Sequence, residues 1–391
     1  MIGDKWKSEM REFKDAKTGY VVRQLTTTGN NVHLYFTENS FDILKNEVIF
    51  RSDRASMENK APHENPHYDL FRMKLDSGEI VQLTDEPETV DATGNVTKTP
   101  DSRLIVYHTG KKFKMLDTTT NQISVVYAEM ENFTTRAPSI APNRRYIAFA
   151  RNEDVRIPRG PNYSGFKESF YRIKDGRITL AYLDGSGWFD VFKDTHWTAH
   201  FQFCPDDSTL GTFCHEGPWN LVTQRIWLLD FASREARPCF RQDEQDSVGH
   251  EFWTRDGYIF FDNRGPGHDG TITSDRTQAV ATNVQVNQNA MIPFVGLADR
   301  KGNVVKRIDM PFYCNHYHAN PENTILVGDD VDDLVLINIS GKEAKLQVLC
   351  NHKTSWHTQS AHCHPTWSWD GKQILYASDC DGHVNLYLVR P

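Results

Sequence analysis

A turn followed by a short strand recurs along the whole chain, and this repetition limits the possible folds more than any other feature. Each copy places Pro, Asp, Asn or Gly in the turn and then an apolar or aromatic run, which is typical of a β-hairpin. The clear copies begin at Thr99, Ala141, Cys204, Thr254, Asn320 and Ser368, and a looser copy begins at Ser40. Such internal repetition indicates a solenoid, a propeller or an array of similar units.

Most copies continue into an aliphatic strand that ends in Asp or Asn and then into a further strand, as in "RIWLLDFASREARPC" from Arg225. Successive turn motifs are roughly 40 to 65 residues apart, which is close to the length of a four-stranded propeller blade. The sequence therefore predicts an all-β fold, a single seven-bladed β-propeller over residues 1–391. A stack of β-sandwiches would also contain short strands and regular turns, but not one turn–strand motif throughout the chain.

The two ends of the chain are expected to meet in the last blade. The seventh unit, "WSWDGKQILYASDCDGHVNLYLVR", ends within a residue of the C-terminus. We therefore expect residues 1–30 to contribute to ring closure, with "YVVRQLT" at 20–26 as the outer strand of the last blade. Helical periodicity is scarce, and residues 5–13 are the one stretch that favours a helix.

Composition excludes several classes of partner. The net charge is −8 and no basic block is present, so nucleic acid is not an expected partner. No run approaches the roughly 18 apolar residues that a membrane span requires, and the charged N-terminus has no apolar signal region. The seven cysteines contain no CxxC pair, which indicates reduced thiols. These features predict a soluble cytoplasmic protein that does not bind membranes.

The stretch "TQSAHCHPTWSWDG" at 358–371 places Gln359, His362 and His364 within six positions. In a strand, alternation would put both imidazoles on one face with Cys363 behind them. His316 occupies the equivalent position before the turn of the preceding unit. Because the loops that enter the inner strands of a propeller gather around its channel, we expect these side chains to converge.

Such a set is a candidate metal site. Several imidazole nitrogens and one side-chain carbonyl oxygen suit a borderline divalent ion such as manganese, iron, nickel or zinc. The lack of a thiolate disfavours a structural zinc site, and calcium prefers oxygen ligands. The alternative is a group of solvated or hydrogen-bonded histidines, since H-x-H pairs are common without a metal.

Two further strings carry unusual chemistry. "FCHEGPWNLVTQRIW" at 213–227 contains His215, Glu216 and Arg225, and "HEFWTRDG" at 250–257 begins with His250 just before the fifth turn motif. His200 occupies the same position one unit earlier. Histidine recurs at this place in units four to seven, and this recurrence predicts a functional channel mouth.

These strings resemble those of the oligogalacturonate lyases, polysaccharide lyase family 22. The similarity includes "CNH" at 314–316 and "QSAHCHP" at 359–365, and the order and spacing agree over about the last half of the chain. The resemblance implies a seven-bladed propeller that binds one divalent ion, with manganese as the first expectation. It implies the metal ligands His316, Gln359, His362 and His364, the base His250 and the catalytic arginine Arg225.

The implied reaction is β-elimination on short α-1,4-linked galacturonides, which yields an unsaturated uronate. The C5 proton must be removed from a carbon next to a carboxylate, and a divalent cation on that carboxylate stabilises the developing charge. A neutral imidazole is a suitable base near neutral pH. Arg225 is expected to clamp a substrate carboxylate in a bidentate manner, and His200 and His215 are expected to contact the substrate.

The identity of the acidic oligosaccharide is left more open than the reaction. The segments 54–71 and 156–177 lie outside the similarity, and the family's "H-R-N-Y-F" string is reduced here to "VHLYF" at 32–36. Another uronide, such as a rhamnogalacturonan fragment, is therefore an alternative substrate. A non-catalytic propeller scaffold and a metal-dependent hydrolase also stay open as functions. A peptidase cap is disfavoured because the chain has no G-x-S-x-G string.

Overall fold

Seven antiparallel sheets surround a central channel in the computed structural model, which describes residues 1–56, 58–91, 94–158, 163–272 and 293–391. The predicted seven-bladed β-propeller is confirmed. In blades two to six the strands follow one another in chain order from the channel outwards, and blades one and seven add N-terminal strands at their outer edges. The repeated turn motif of the sequence joins the first strand of each blade to its second.

The strands, with the one α-helix and two short 3₁₀ turns that the described residues contain, have the following bounds. They are β1 Lys5–Trp6, β2 Arg11–Lys14, β3 Val21–Gln24, β4 Asn31–His33, β5 Glu47–Ser52, the 3₁₀ turn Pro62–Glu64, β6 Asp69–Lys74, β7 Ile80–Gln82, β8 Val96–Lys98, β9 Leu104–Thr109, β10 Lys112–Asp117, β11 Gln122–Ala128, β12 Phe133–Ile140, β13 Tyr146–Glu153, α1 Phe166–Arg172, β14 Gly176–Tyr182, β15 Trp188–Asp194, β16 Thr198–Cys204, β17 Asp207–His215, β18 Ile226–Asp230, β19 Glu235–Pro238, β20 Val248–Trp253, β21 Ile259–Asn263, β22 Phe294–Ala298, β23 Val304–Asp309, β24 Tyr317–Ala319, β25 Ile325–Asp329, β26 Asp333–Asn338, β27 Lys345–Asn351, the 3₁₀ turn Gln359–Ala361, β28 Thr366–Trp367, β29 Ile374–Ser378 and β30 Asn385–Val389.

Blades one to six are built from consecutive strands, namely β4–β7, β8–β11, β12–β15, β16–β19, β20–β23 and β24–β27, and β1 extends the outer edge of blade one. Blade seven combines β28–β30 with β3 and β2. The first strand of each blade lines the channel.

Ring closure joins the two ends of the chain. Strand β3 pairs antiparallel with β30, with Val22 opposite Val389, and β2 pairs with β3. Hydrogen bonds between the N-terminal and C-terminal strands thus cover what would otherwise be an open sheet edge. The helix expected for residues 5–13 is wrong, because this region forms β1 and the start of β2.

The core consists of apolar layers between neighbouring blades rather than a single centre. Strand β21 is buried along its whole length. Its Phe260 packs towards blade six, whereas Ile259 and Phe261 pack towards blade four, as the two-residue period of a strand requires. Strands buried on both faces need continuous apolar or aromatic runs, and this explains the strand sequences of the repeats.

Helix α1 interrupts blade three between β13 and β14 and was not expected from the sequence. Gly165 precedes it with φ +78°, and a Cβ there would lie 2.3 Å from the backbone oxygen of Pro158. This chain reversal requires glycine. Within the described parts of the chain, no helix is long and apolar enough to cross a lipid bilayer.

Candidate active site and metal centre

The inner strands of blades four to seven bring their histidines to one mouth of the channel. His200 lies on β16 and His250 on β20, and His316 and His364 lie just before β24 and β28. The pairing of β16 and of β20 with its neighbour is irregular at the histidine, and His200 has φ +49°. Such bulges redirect a side chain, and they are common beside functional sites.

The imidazoles of His316, His362 and His364 form a buried cluster. One nitrogen from each lies within 4.8 Å of the others, and the His316 and His364 ring centroids are 4.2 Å apart. The expectation of a strand here is wrong, because a 3₁₀ turn ends at Ala361 and β28 begins only at Thr366. The two histidines of the pair still share one side, since His364 adopts φ +44° and Cys363 packs the opposite way.

The hydrogen bonding of this cluster suits a cation. The His316 Nδ1 lies 2.8 Å from the Asp329 carboxylate, so its Nε2 is left for another partner. Within the described residues, His362 Nδ1 and His364 Nε2 have no hydrogen-bond partner. Burial and neighbouring imidazoles hold the pKa values of His362 and His364 well below the usual 6.5. Neutral, buried and unpartnered nitrogens are good ligands for a divalent metal.

His250 stands beside this cluster. Its ring centroid is 4.8 Å from that of His316, and the edge-on rings of Trp219 and Phe36 lie at 5.2 and 5.5 Å. Burial, followed by the positive charge of its neighbours, holds the pKa of His250 well below 6.5. The side chain retains 11% exposure, and it lines the cavity above the cluster. A neutral imidazole in this position is able to accept a proton.

A cavity of about 580 Å³ opens at this mouth of the channel. Its lining includes Tyr35, His200, Trp219, His250 and Gln359. The three clustered imidazoles lie behind this lining, and the Tyr35 ring is 5.0 Å from that of His364. Gln359 is exposed and lines the cavity together with Tyr163.

Arg225 is buried in a network of charges. Its Nη1 lies 3.2 Å from Glu216 Oε1 and its Nε lies 3.3 Å from Glu251 Oε2. Glu216 Oε2 is in turn 3.1 Å from His200 Nε2, and this bond outweighs burial and raises the pKa of His200. The sequence led us to expect a guanidinium that is free to bind a substrate carboxylate in a bidentate manner. Instead, Glu216 and Glu251 already bind it. Arg225 lines the cavity with its charge offset by these two carboxylates.

The structure places His200 in the cavity but His215 elsewhere. The His215 Nε2 lies 2.9 Å from Asp194 Oδ2, and its ring stacks on His196 with centroids 4.3 Å apart. His215 is the last residue of β17 and does not line the cavity, whereas the next residue, Glu216, does. The string at 213–227 therefore contributes residues to two different environments, one at the cavity and one beside Asp194.

The two segments that the sequence set apart from the family strings, 54–71 and 156–177, lie in different places. Tyr163, Phe166 and Lys167 from 156–177 line the cavity, while residues 159–162 lie outside the described parts. Of the described residues in 54–71, none lines it. His33, from the reduced "VHLYF" string, lies with Nε2 3.0 Å from the Cys363 backbone oxygen and so supports the backbone between the two cluster histidines.

Several residues of the site were not predicted from the sequence. They are the aromatic residues Tyr35, Phe36 and Trp219 and the buried carboxylates Asp262 and Asp329. Asp262 and Asp329 each come at the end of the second strand of their unit. An alignment of units five and six pairs these two carboxylates only when the turn of unit six is given one extra residue.

A propeller that gathers buried imidazoles at one channel mouth, beneath a polar cavity, is a scaffold for a metal-assisted active site. A sequence profile of the oligogalacturonate lyase family matches residues 2–391. The chain belongs to the oligogalacturonate lyase family and is thus an oligosaccharide lyase by class.

Two relatives span almost the whole chain. The oligogalacturonide lyase of Pectobacterium atrosepticum is 24% identical over 99% of this chain and 97% of its own length. The oligogalacturonate lyase of Dickeya dadantii is 23% identical over the same shares.

Two solved structures share the fold at 22% identity, and each comparison covers 100% of this chain and 98% of the other. One is an oligogalacturonate lyase in complex with manganese, with a TM-score of 0.82. The other is the oligogalacturonate lyase of Vibrio parahaemolyticus, with a TM-score of 0.83.

Proposed function

We propose that this protein cleaves short galacturonides by β-elimination at the channel mouth. The observation that carries the proposal is the buried trio of imidazoles, with unpartnered nitrogens on His362 and His364 among the described residues, beside a neutral His250. The trio and the side-chain oxygen of Gln359 would hold a divalent cation, for which manganese is the first choice. The solved relative that contains manganese supports this choice.

Each residue then has a separate task. A bound cation would neutralise the carboxylate next to C5 and so make the C5 proton more acidic. His250 accepts that proton, since burial keeps it neutral and it faces the cavity. Asp329 fixes the orientation and tautomer of His316. Arg225 holds Glu216 and Glu251 in place at the cavity wall, and through Glu216 it fixes His200.

The charges around the cavity fit an acidic oligosaccharide. Arg136 and Lys167 are both exposed and line the cavity. Neither forms an ion pair with another of the described residues. Two such cations at the rim of the cavity favour a chain of uronates over a neutral sugar. The contribution of Lys167 comes from segment 156–177, so the same elimination on another uronide is the second candidate.

The cytoplasm is the proposed location. All seven cysteines of the chain lie within the described residues and are free, and six of them are buried. Free buried thiols are typical of a reducing compartment.

The test is to follow the ultraviolet absorbance of the C4=C5 double bond. Manganese-loaded protein is mixed with di- and trigalacturonate and, in parallel, with other uronate-containing oligosaccharides. We expect the absorbance to rise with galacturonides and the His250→Ala variant to abolish the rise. His318→Ala is the matched control, because His318 follows His316 by two positions but lines a second cavity and not the one that His250 lines.

Each result has a separate meaning. A rise only with another uronide would keep the elimination and replace the substrate. New reducing ends without a double bond would overturn the elimination in favour of hydrolysis. No product from any uronide, with manganese shown to be bound, would overturn the proposed function.

A further inference from the structure

Asp262 is a buried carboxylate without a hydrogen-bond donor in the described parts of the chain. Only 1% of its surface is exposed, and neither of its side-chain oxygens is hydrogen-bonded to a described residue. Its Oδ2 lies 3.6 Å from Nε of Arg264, which is an ion-pair distance but is long for a hydrogen bond. A buried carboxylate without hydrogen bonds destabilises the folded protein unless it gains a further partner in the working enzyme.

The candidate partner of the other carboxylate oxygen, Oδ1, is His250. Its Nδ1 lies 3.9 Å from Asp262 Oδ1, and this nitrogen is also buried without a hydrogen bond among the described residues. One buried donor and one buried acceptor therefore face each other across a gap that is slightly too long. Hydrogen bonds of catalytic groups are often long before the substrate binds and shorten in the complex.

The repeat shows what this pair becomes when the gap is closed. In blade five Glu251 is opposite Phe261, and in blade six Tyr317 is opposite Gly328. Continuing each register by one residue places His250 across from Asp262, at the irregularity of that ladder, and His316 across from Asp329. These two pairs occupy equivalent positions in neighbouring blades.

In blade six the equivalent nitrogen and carboxylate oxygen are 2.8 Å apart. In blade five the ladder is irregular between Val248 and Glu251, where His250 is located. This irregularity accounts for the longer separation in blade five. A small movement of the His250 ring towards Asp262 would reproduce the bond that blade six already has.

We propose that Asp262 is the positioning residue of the base, and that its carboxylate accepts the Nδ1–H of His250 during the reaction. With the proton fixed on Nδ1, the Nε2 lone pair is directed into the cavity, where it accepts the C5 proton. The negative charge of Asp262 stabilises the imidazolium that results. The rings of Trp219 and Phe36 pack edge-on against the His250 ring, and the bond to Asp262 would fix the remaining rotation of this ring.

This inference rests on the proposed function, and the experiment separates the two. The first readout is steady-state kinetics of metal-loaded wild type, Asp262→Asn and Asp262→Ala. The asparagine oxygen still accepts the Nδ1–H but carries no charge, whereas alanine offers no acceptor. We expect kcat to fall in the order wild type, Asn, Ala, with a loss of about 100-fold or more for Ala and KM nearly unchanged.

The second readout does not depend on activity. Zinc-loaded protein, which is diamagnetic, is labelled with ¹⁵N-histidine, and the downfield Nδ1–H resonance is assigned by its loss in His250→Gln. We expect Asp262→Ala to remove this resonance and Asp262→Asn to shift it. Asp246→Ala is the stability control, because Asp246 is a buried carboxylate of the same blade that hydrogen-bonds Asn263 and not His250.

The outcomes divide as follows. If wild type forms no unsaturated product, the proposed function fails, and the resonance still decides whether Asp262 holds His250. If wild type is active but Asp262→Ala retains kcat within about twofold, or if the His250 resonance is unchanged in that variant, the positioning role is overturned. Equal losses of kcat in Asp262→Ala and in an equally destabilised Asp246→Ala would also overturn it.

Discussion

His316 Nδ1 and Asp329 Oδ2 lie 2.8 Å apart, and 2% and 0% of the two side chains are exposed. The Asp329 carboxylate also accepts the backbone N–H of His316. Two bonds to one carboxylate fix both the backbone and the ring of this histidine. The position of the proposed metal ligand is therefore set before any ion arrives.

Removal of this carboxylate is expected to weaken metal binding rather than folding of the blades. We predict that Asp329→Ala lowers the affinity for manganese by about 10- to 100-fold, because the orientation and basicity of the His316 ring are lost. Titration calorimetry with MnCl₂ measures the change, and Asp333→Ala, a buried carboxylate on β26 of the same blade, is the control. Equal affinities in wild type and Asp329→Ala would contradict the assignment of His316 as a ligand.

The exposed cations at the cavity rim are expected to act on substrate binding. We predict that Arg136→Ala and Lys167→Ala each raise KM about two- to fivefold with kcat retained, since an exposed charge pair contributes at most about 1 kcal/mol. The effect should shrink at high salt, where exposed charges are screened. Initial rates at two ionic strengths test this, with the exposed Lys342→Ala as the control. KM values unaffected by either substitution would remove these residues from the substrate site.

Gly249, immediately before the proposed base, is expected to be intolerant of any side chain. A Cβ there would lie 1.7 Å from the Trp219 ring, which is itself buried. We predict that Gly249→Ala displaces Trp219 or β20, costs about 1–3 kcal/mol of stability and lowers kcat because the His250 ring moves. Urea unfolding and kinetics measure both effects. Gly341→Ala, where the nearest atom is 3.9 Å from the added carbon, should change neither.

Glu38 is expected to make the stability depend on pH. Burial raises the pKa of Glu38 from 4.5 to about 8 in the folded protein. Between these values the folded state keeps a proton that the unfolded state releases, so the stabilisation is complete below pH 4.5 and is lost as the pH rises through about 8.

Glu38→Gln imitates the protonated carboxyl and retains an oxygen that can accept the hydrogen bond from Thr97 Oγ1, which is 3.0 Å long in the wild type. We predict that the variant loses less stability than wild type between about pH 5 and 8 and becomes the more stable of the two at about pH 8. Thermal unfolding across this range tests the prediction, with the exposed Glu343→Gln as the control. Parallel curves for wild type and Glu38→Gln would show that Glu38 is ionised in the folded protein.

The repeat, and with it the fold, could be predicted from the sequence because the motif is encoded by residues that are close along the chain. A turn residue, an alternating strand and a second tight turn are each encoded within a few positions, and seven copies determine the blade count. The same register placed His200, His250 and His316 at equivalent points of successive blades. Since every inner strand borders the channel, their convergence followed from the repeat alone.

Only the tertiary structure determined the orientation and the contacts of each side chain in the site. His362 and His364 share a side through a left-handed residue rather than through strand alternation, and His215 turns towards Asp194. Arg225 is held by two carboxylates from different strands. The contacts of His215 with Asp194 and of Arg225 with Glu251 join neighbouring blades, so hydrogen-bond satisfaction in the closed ring decides them, and local periodicity does not encode it.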